Sequence, residues 1–385
     1  MLTTLAIDGY RSLRSLVVPL DRLTVITGEN GSGKSSLYRS LRLLAAVSGN
    51  GAIAALAAEG GLPSTLWAGP ETISLAARDG GSAQGTKRTG PVALRLGFGS
   101  DDFGYAIDFG LPTPATTAFG LDPEIKAESV FSGSVLRPAT LLSERRGGSV
   151  RVRNGDEWHR YERRLEQWSS MLSEVADPES APELLALRDS MRSWRFYDHV
   201  RTDADAPARQ ARIGTRTPVL ASDGSDLAAA LQTIREIGHA PDLDSAVDAA
   251  LPGSRVSIDV RSGRFALLLQ QPGLLRPLEA AELSDGTLRY LLWVAALLSP
   301  RPSELIVLNE PETSLHPALL EPLGGLIAAA SGDSQVIVVT HSPVLRSALA
   351  EHGALIHELH KSHGETIVAG REGLLDAPAW VWPKR

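Results

Sequence analysis

The stretch Gly28-Glu29-Asn30-Gly31-Ser32-Gly33-Lys34-Ser35-Ser36 constrains this chain more than any other. It matches G-x-x-x-x-G-K-[ST] at every specified position. The apolar run Leu23–Ile26 precedes it, and Leu37–Leu44, which reads as a helix, follows it. In a strand–loop–helix of this kind, backbone N–H groups curl around an anion and the helix N-terminus adds a positive dipole end. Lys34 is placed to reach the β- and γ-phosphates, and the Ser35 hydroxyl to sit on Mg²⁺. The bland alternative is a ligand-free turn, which calls for neither the Lys-Ser pair nor both flanks. ATP with Mg²⁺ is therefore the expected ligand.

Composition narrows the classes that remain. A chain of 385 residues with 43% hydrophobic and 22% charged residues can bury a sizeable core. It has no cysteine, which excludes disulfides, thiolate metal sites and cysteine nucleophiles and suits a reducing cytoplasm. No apolar run approaches the length of a membrane span, and the first residues lack a signal-peptide layout, so no membrane partner is expected. The net charge of −7 argues against a uniform nucleic-acid coat. Arginines do cluster at Arg137–Arg164 and Arg188–Arg216, as a local basic surface or as ordinary solvated faces.

Along the chain, short strands over residues 2–8, Leu16–Val18 and Leu23–Ile26 deliver the glycine loop. Its helix ends near Gly49, and Ala52–Glu59 reads as another. Thr72–Ala77, Val92–Phe98, Phe103–Phe109, Glu128–Val135 and Val150–Arg153 read as strands of an antiparallel layer. Trp158–Leu172 and Ala181–Trp194 carry helical spacing, and Trp194–Asp198 is an aromatic patch that reads as a buried element end. Asp223-Gly224-Ser225 offers an N-cap for a helix over Asp226–Ile237, and Leu243–Leu251 reads as a further helix. Val256–Val260 and Phe265–Gln270 form an expected hairpin around Ser262-Gly263.

Three segments close the chain. Leu283-Ser284-Asp285-Gly286-Thr287 leads into an apolar helix, Leu288–Leu298. Glu304–Asn309 is a buried-type strand running into Glu310-Pro311-Glu312, and Gln335–Val339 is another, ending in Thr340-His341-Ser342. Parallel strands that end in polar groups place them at the carboxyl edge of the sheet, where a phosphate loop also lies. Glu310 is the candidate to position or polarise water, and His341 the candidate γ-phosphate sensor.

With Gly9-Tyr10-Arg11-Ser12, the phosphate loop, LSDGT, ELIVLNEPETSLHP and THS, the chain resembles ABC-type ATPase heads of the SMC/RecF/OLD-like branch. The resemblance is strong over residues 1–50 and 275–345 and thin from 60 to 270. It implies an α/β P-loop NTPase with a two-lobed head, an antiparallel β subdomain and a helical insertion. The expected division is 1–160 for the first lobe, 161–250 for a mostly helical insertion and 251–385 for the second lobe. It also implies a head-to-tail homodimer in which Ser284 and Gly286 contact the partner's nucleotide, with Ser314-Leu315-His316 along the interface and Arg11 near the nucleotide.

Two positions depart from the pattern. Asn309 stands where P-loop enzymes usually carry aspartate; it still accepts a hydrogen bond from metal-bound water but brings no negative charge. Weaker metal binding or slow turnover is expected. Asp285 puts a carboxylate at a helix start expected to face the partner's phosphates, which would oppose closure. No glutamine can be named as the Q-loop residue.

The leading expectation is an ATPase working in DNA repair, recombination or phage defence, with DNA and a separately encoded nuclease or effector as partners. No nuclease motif follows residue 345. A slow or non-hydrolysing nucleotide switch or scaffold is the alternative, and a transporter subunit is disfavoured by the odd signature and the long insertion.

Overall fold

The computed structural model describes residues 1–69, 91–112, 118–198, 200–371 and 377–385. The chain divides into two compact units, one of residues 1–21, 28–194 and 357–385, the other of residues 22–27 and 195–356.

In the first unit, β1 (Leu2–Tyr10) and β2 (Leu13–Pro19) form a hairpin before the chain leaves for β3 (Leu23–Gly28). Helices α1 (Lys34–Val47) and α2 (Ala52–Ala58) follow. Next come β4 (Leu94–Ser100), β5 (Phe103–Gly110), β6 (Glu124–Ser132), β7 (Leu141–Arg146), β8 (Ser149–Asn154) and β9 (Glu157–Arg160). With β1 and β2 they make an eight-stranded antiparallel sheet in the order β2-β1-β4-β5-β6-β7-β8-β9. The β4–β5 turn is held by Ser100 Oγ, which accepts from the backbone N–H of Asp102 and Phe103. The expected strand Thr72–Ala77 lies outside the described residues.

The helix expected over Trp158–Leu172 does not form. Glu157–Arg160 pairs antiparallel with β8 instead, and only Met171–Glu174 is helical. The cause is Arg145, which is wholly buried and donates to the carbonyls of Gly147, Glu166 and Ser169. Those carbonyls then satisfy a guanidinium, so the local periodicity loses to a tertiary contact. The same guanidinium pairs at 3.0 Å with Glu128, also fully buried. Glu128 further accepts from the Tyr105 hydroxyl (2.6 Å), Ser170 Oγ (2.5 Å) and Met171 N (2.9 Å). Burial pushes the Tyr105 phenol well above its usual range. Helix α3 (Pro182–Ser193) then ends the unit's central stretch close to expectation.

The second unit carries a parallel array: β10 (Arg195–Tyr197), then later in the chain β13 (Leu305–Asn309) and β14 (Gln335–Val339), with β3 pairing beside β14. Between them lie α4 (Leu227–Ile237), α5 (Ala240–Ala250) and the hairpin of β11 (Arg255–Arg261) and β12 (Arg264–Gln270). The hairpin turn is Ser262-Gly263, both at positive φ as a two-residue turn of this twist requires. Residue Asp226, rather than 223–225, stands before α4, and its carboxylate accepts from Ala221 N. Helix α6 (Asp285–Leu297) is buried on every side from Leu288 onward. It packs in one core with Val25, Leu308, Val338 and the helices α7 (Leu320–Ala330) and α8 (Pro343–Glu351). That burial explains its continuous apolar sequence.

Cutting one side of the Glu128–Arg145 pair leaves the other charge buried and alone. Arg145→Met and Glu128→Gln are each expected to destabilise the protein by about 3–5 kcal/mol. Urea denaturation checks this, with Arg151→Met on the exposed part of the same sheet expected to change little.

Candidate active site

The phosphate loop is built within the first unit. The hairpin of β15 (Leu355–Ser362) and β16 (Glu365–Val368) backs it. Thr366 Oγ1 donates to the carbonyl of Ser32 at 2.8 Å and lies 2.8 Å from Ser12 Oγ. A Cβ at Gly28 would fall 2.1 Å from the carbonyl oxygen of Leu359, and one at Gly33 would fall 2.2 Å from Thr366 Oγ1. Both residues also hold positive φ, so only glycine fits either place. Lys34 is 5% exposed, and its ammonium donates to the carbonyls of Gly28 (2.7 Å) and Glu29 (2.9 Å). Ser32 Oγ is buried without a hydrogen-bond partner. Glu29, Asn30, Gly31 and Ser35 are exposed, and Ser36 is half-buried on the first turn of α1.

Arg11 takes the left-handed conformation (φ 51°) and pairs with Glu59 at 2.6 Å. Glu59 also accepts from the Tyr10 hydroxyl at 2.6 Å. Burial and this bond push the Tyr10 phenol above its usual range. Arg11, Arg39 and Arg42 line an open cleft of about 520 Å³.

The second unit brings the C-terminal segments together. Asn309 is in register with Val339 of β14, and Val339 with Ile26 of β3, so these strands finish on one edge. Glu310 follows Asn309 at φ 49°, a left-handed position rare for a residue with a side chain. Its N–H donates to the Val339 carbonyl at 2.7 Å. His341 Nδ1 lies 3.8 Å from Glu310 Oε1 and 3.3 Å from Glu312 Oε1, with about half of the imidazole exposed. Glu312 is 7% exposed and ties this corner down. Its Oε1 accepts from Thr340 Oγ1 (2.5 Å), His341 N (3.0 Å) and Ser342 N (3.2 Å). Asn309 donates through Nδ2 to Asp198 Oδ1 at 2.8 Å, while its own Oδ1 is buried with no hydrogen-bond partner.

The segment Leu283–Thr287 lies in the same unit. Ser284 is exposed and caps α6, its Oγ accepting from Thr287 N at 3.1 Å. A Cβ on Gly286 would meet the Ser314 carbonyl at 3.0 Å, so Gly286 packs against the segment after Glu312. Asp285 does not stand as an uncompensated carboxylate. Arg209, almost fully buried, pairs with it at 2.7 Å and also donates to the carbonyls of Leu283 (2.7 Å) and Ala280 (3.0 Å). The negative charge that Asp285 brings to this helix start is thereby offset.

Asp198, Arg209, Glu312 and Thr366 bond to these segments and were not singled out from the sequence. Asp198 had a readable signal, since it is a carboxylate directly after a short aromatic strand. Arg209 and Thr366 act across 76 and 334 residues and left none.

Asn309 Oδ1, an orphaned acceptor at the carboxyl edge, suits Mg²⁺, which keeps several waters and takes one or two protein ligands beside phosphate oxygens. Among the described residues no group of three or more His, Asp or Glu is arranged to hold a metal alone.

The architecture resembles solved SMC heads. One is the Smc head bound to the C-winged helix domain of ScpA, at 14% identity and TM-score 0.51, covering 96% of each chain. Another is the Smc head domain with an extended coiled coil bound to the C-terminal domain of ScpA from Pyrococcus furiosus, at 12% identity and TM-score 0.50, covering 96% of this chain and 95% of that one. The fold is thus that of the SMC-head P-loop ATPases. Residues 23–347 match the family described as "AAA domain, putative AbiEii toxin, Type IV TA system", and the chain belongs to that family. A search of the curated proteins gives no match. With the family comes nucleotide use and, as is typical of P-loop ATPases, Mg²⁺. Among the described residues no helix is long and apolar enough to cross a membrane.

Gly33→Ala is expected to lower ATP affinity at least about tenfold, or about 1.4 kcal/mol. Gly31→Ala meets nothing within 4 Å. It is expected to cost only the left-handed strain of about 1–2 kcal/mol in stability. Titration with a fluorescent ATP analogue, beside a thermal melt, separates the two.

Proposed function

We propose that the chain hydrolyses ATP as an ABC/SMC-type head, with each nucleotide held between the phosphate loop of one copy and the Ser284–Gly286 signature of another. The observation that carries this reading is the common edge of the second unit's parallel strands. There Asn309, Glu310 and His341 line up with Thr27, the residue that leads into the phosphate loop.

In this reading Glu310 orients and polarises the attacking water, and His341 senses the γ-phosphate. Glu312 acts behind them by fixing the backbone of Thr340–Ser342. Ser35 and Asn309 would hold Mg²⁺, which when bound neutralises charge on the β- and γ-phosphates. Lys34 exchanges its bonds to loop carbonyls for bonds to phosphate oxygens, so it is held near its working place before ligand arrives. The exposed Ser284, presented by a capped helix start, supports a role toward a second copy.

Phosphate release is the test. Glu310→Gln is expected to cut the rate by about 10²-fold or more. Wild type no faster than this variant, with or without DNA, would sink the enzyme reading in favour of a non-hydrolysing switch or scaffold, the alternative that Asn309 suggests. Size-exclusion of Glu310→Gln with ATP should show a dimer, and a persistent monomer contradicts the sandwich.

Action on DNA or on a DNA-acting effector draws support from the outer strands of the first unit. Arg146, Arg151, Arg160 and Trp158 line an open groove of about 460 Å³, with the Arg151 guanidinium 4.5 Å from the centre of the Trp158 ring. Guanidinium and indole faces of this kind suit stacked bases beside phosphates. Glu144 offsets part of the charge, through Arg146 and Arg151. The toxin–antitoxin description of the family accords with a defence role more than with transport. Arg151→Glu with Arg160→Glu is expected to weaken single-stranded DNA binding and flatten its salt dependence, read by fluorescence anisotropy. Unchanged binding removes this groove from the proposal.

A further inference from the structure

Asn309 leaves the proposed Mg²⁺ site one negative charge short, and the fold sets a carboxylate beside it. Strand β10 runs parallel to β13 with Tyr197 opposite Leu308, so Asp198, just past the end of β10, stands beside Asn309, the last residue of β13. The Asn309 amide donates through Nδ2 to Asp198 Oδ1 at 2.8 Å. A carboxylate accepts hydrogen bonds and does not donate them, so it selects the amide orientation that turns Asn309 Oδ1 away. That oxygen is then the buried, partnerless acceptor. One residue therefore fixes the amide and brings the charge that the amide lacks.

We propose that Asp198 and Asn309 form a divided metal-holding pair, in which Asn309 Oδ1 faces the cation's water shell and the Asp198 carboxylate supplies the negative charge behind it. This rests on the ATPase reading above and names a residue that reading does not use. Asp198 is a positioning residue, acting on the cation through Asn309 and through its field. Carboxylates placed one shell behind a ligand orient it and raise its basicity, and losing one typically weakens metal binding about 10–100-fold.

The test is binding of Mn²⁺, by electron paramagnetic resonance, to the full-length protein saturated with ATP. ATP affinity in EDTA is measured in parallel. Asp198→Asn is expected to weaken Mn²⁺ binding about tenfold while leaving ATP affinity in EDTA unchanged. Asp198→Ser keeps an acceptor for the Asn309 amide but removes the charge, and should weaken Mn²⁺ similarly. Adding Asn309→Asp to Asp198→Asn should bring affinity back to near wild type, which a merely structural role would not do. Unchanged Mn²⁺ affinity in both single variants overturns the proposal, as does failure of the double variant to recover. The ATPase reading fails separately, if wild type binds no ATP in EDTA or if Lys34→Ala binds it as well as wild type does.

Discussion

The register of the parallel strands in the second unit is the constraint on which the proposed chemistry depends. Tyr197 lies opposite Leu308, Asn309 opposite Val339, and Val339 opposite Ile26. Parallel strands share one direction, so stretches far apart in sequence finish on the same line. That line collects Asp198, Asn309-Glu310, Thr340-His341 and Thr27. A parallel array needs long crossovers and cover on both faces. The central strands are accordingly unbroken apolar runs, and α6 is buried all round. A shift of one residue in this pairing would turn Asn309 to the opposite face and separate it from Asp198.

Rigidity at this edge comes from a buried carboxylate and a strained backbone. Glu312 gathers one hydroxyl and two backbone N–H groups from Thr340–Ser342, so the turn bearing His341 is fixed by charge-assisted bonds. Glu310, held at positive φ between Asn309 and Pro311, stores strain that these neighbours must overcome. The left-handed turn aims its side chain to within 3.8 Å of His341. Such strain persists only where surrounding bonds over-determine it, and Glu310 N to Val339 O is one of them.

Much of this was readable from the chain. The phosphate loop carries its own local rules, and the central strands announce themselves by continuous β-branched runs such as Val336–Val339. Most of the antiparallel layer was legible through alternation, as in Phe103–Phe109, although β7 was not read. What failed were places where a distant side chain decided the local structure. Trp158–Leu172 has helical spacing, yet Arg145 claims the carbonyls of Glu166 and Ser169. Strand β10 is only three residues long, so the patch Trp194–Asp198 read as a buried element end and the carboxylate that closes it was passed over. The charge at Asp285 was visible, but Arg209, its neutralising partner, stands 76 residues away.

The two departures from the P-loop pattern are therefore best weighed together with their partners. At the start of α6 the chain carries a carboxylate, Asp285, and also supplies Arg209, nearly buried, within 2.7 Å of it. At the end of β13 it omits a carboxylate and stands Asp198 beside the amide that takes its place. In both cases the residue at the motif position changes and the local charge is restored from the segment between Arg195 and Leu220. That segment contributes β10 and the short turn Pro207–Arg209 to the second unit, so on the proposed reading it belongs to the site as much as the motifs do. A charge moved one shell outward acts over a longer distance and leaves more room for water around the cation. On the proposed reading, such an arrangement would favour slow turnover, which an ATP-gated assembly would need if closure is to outlast binding.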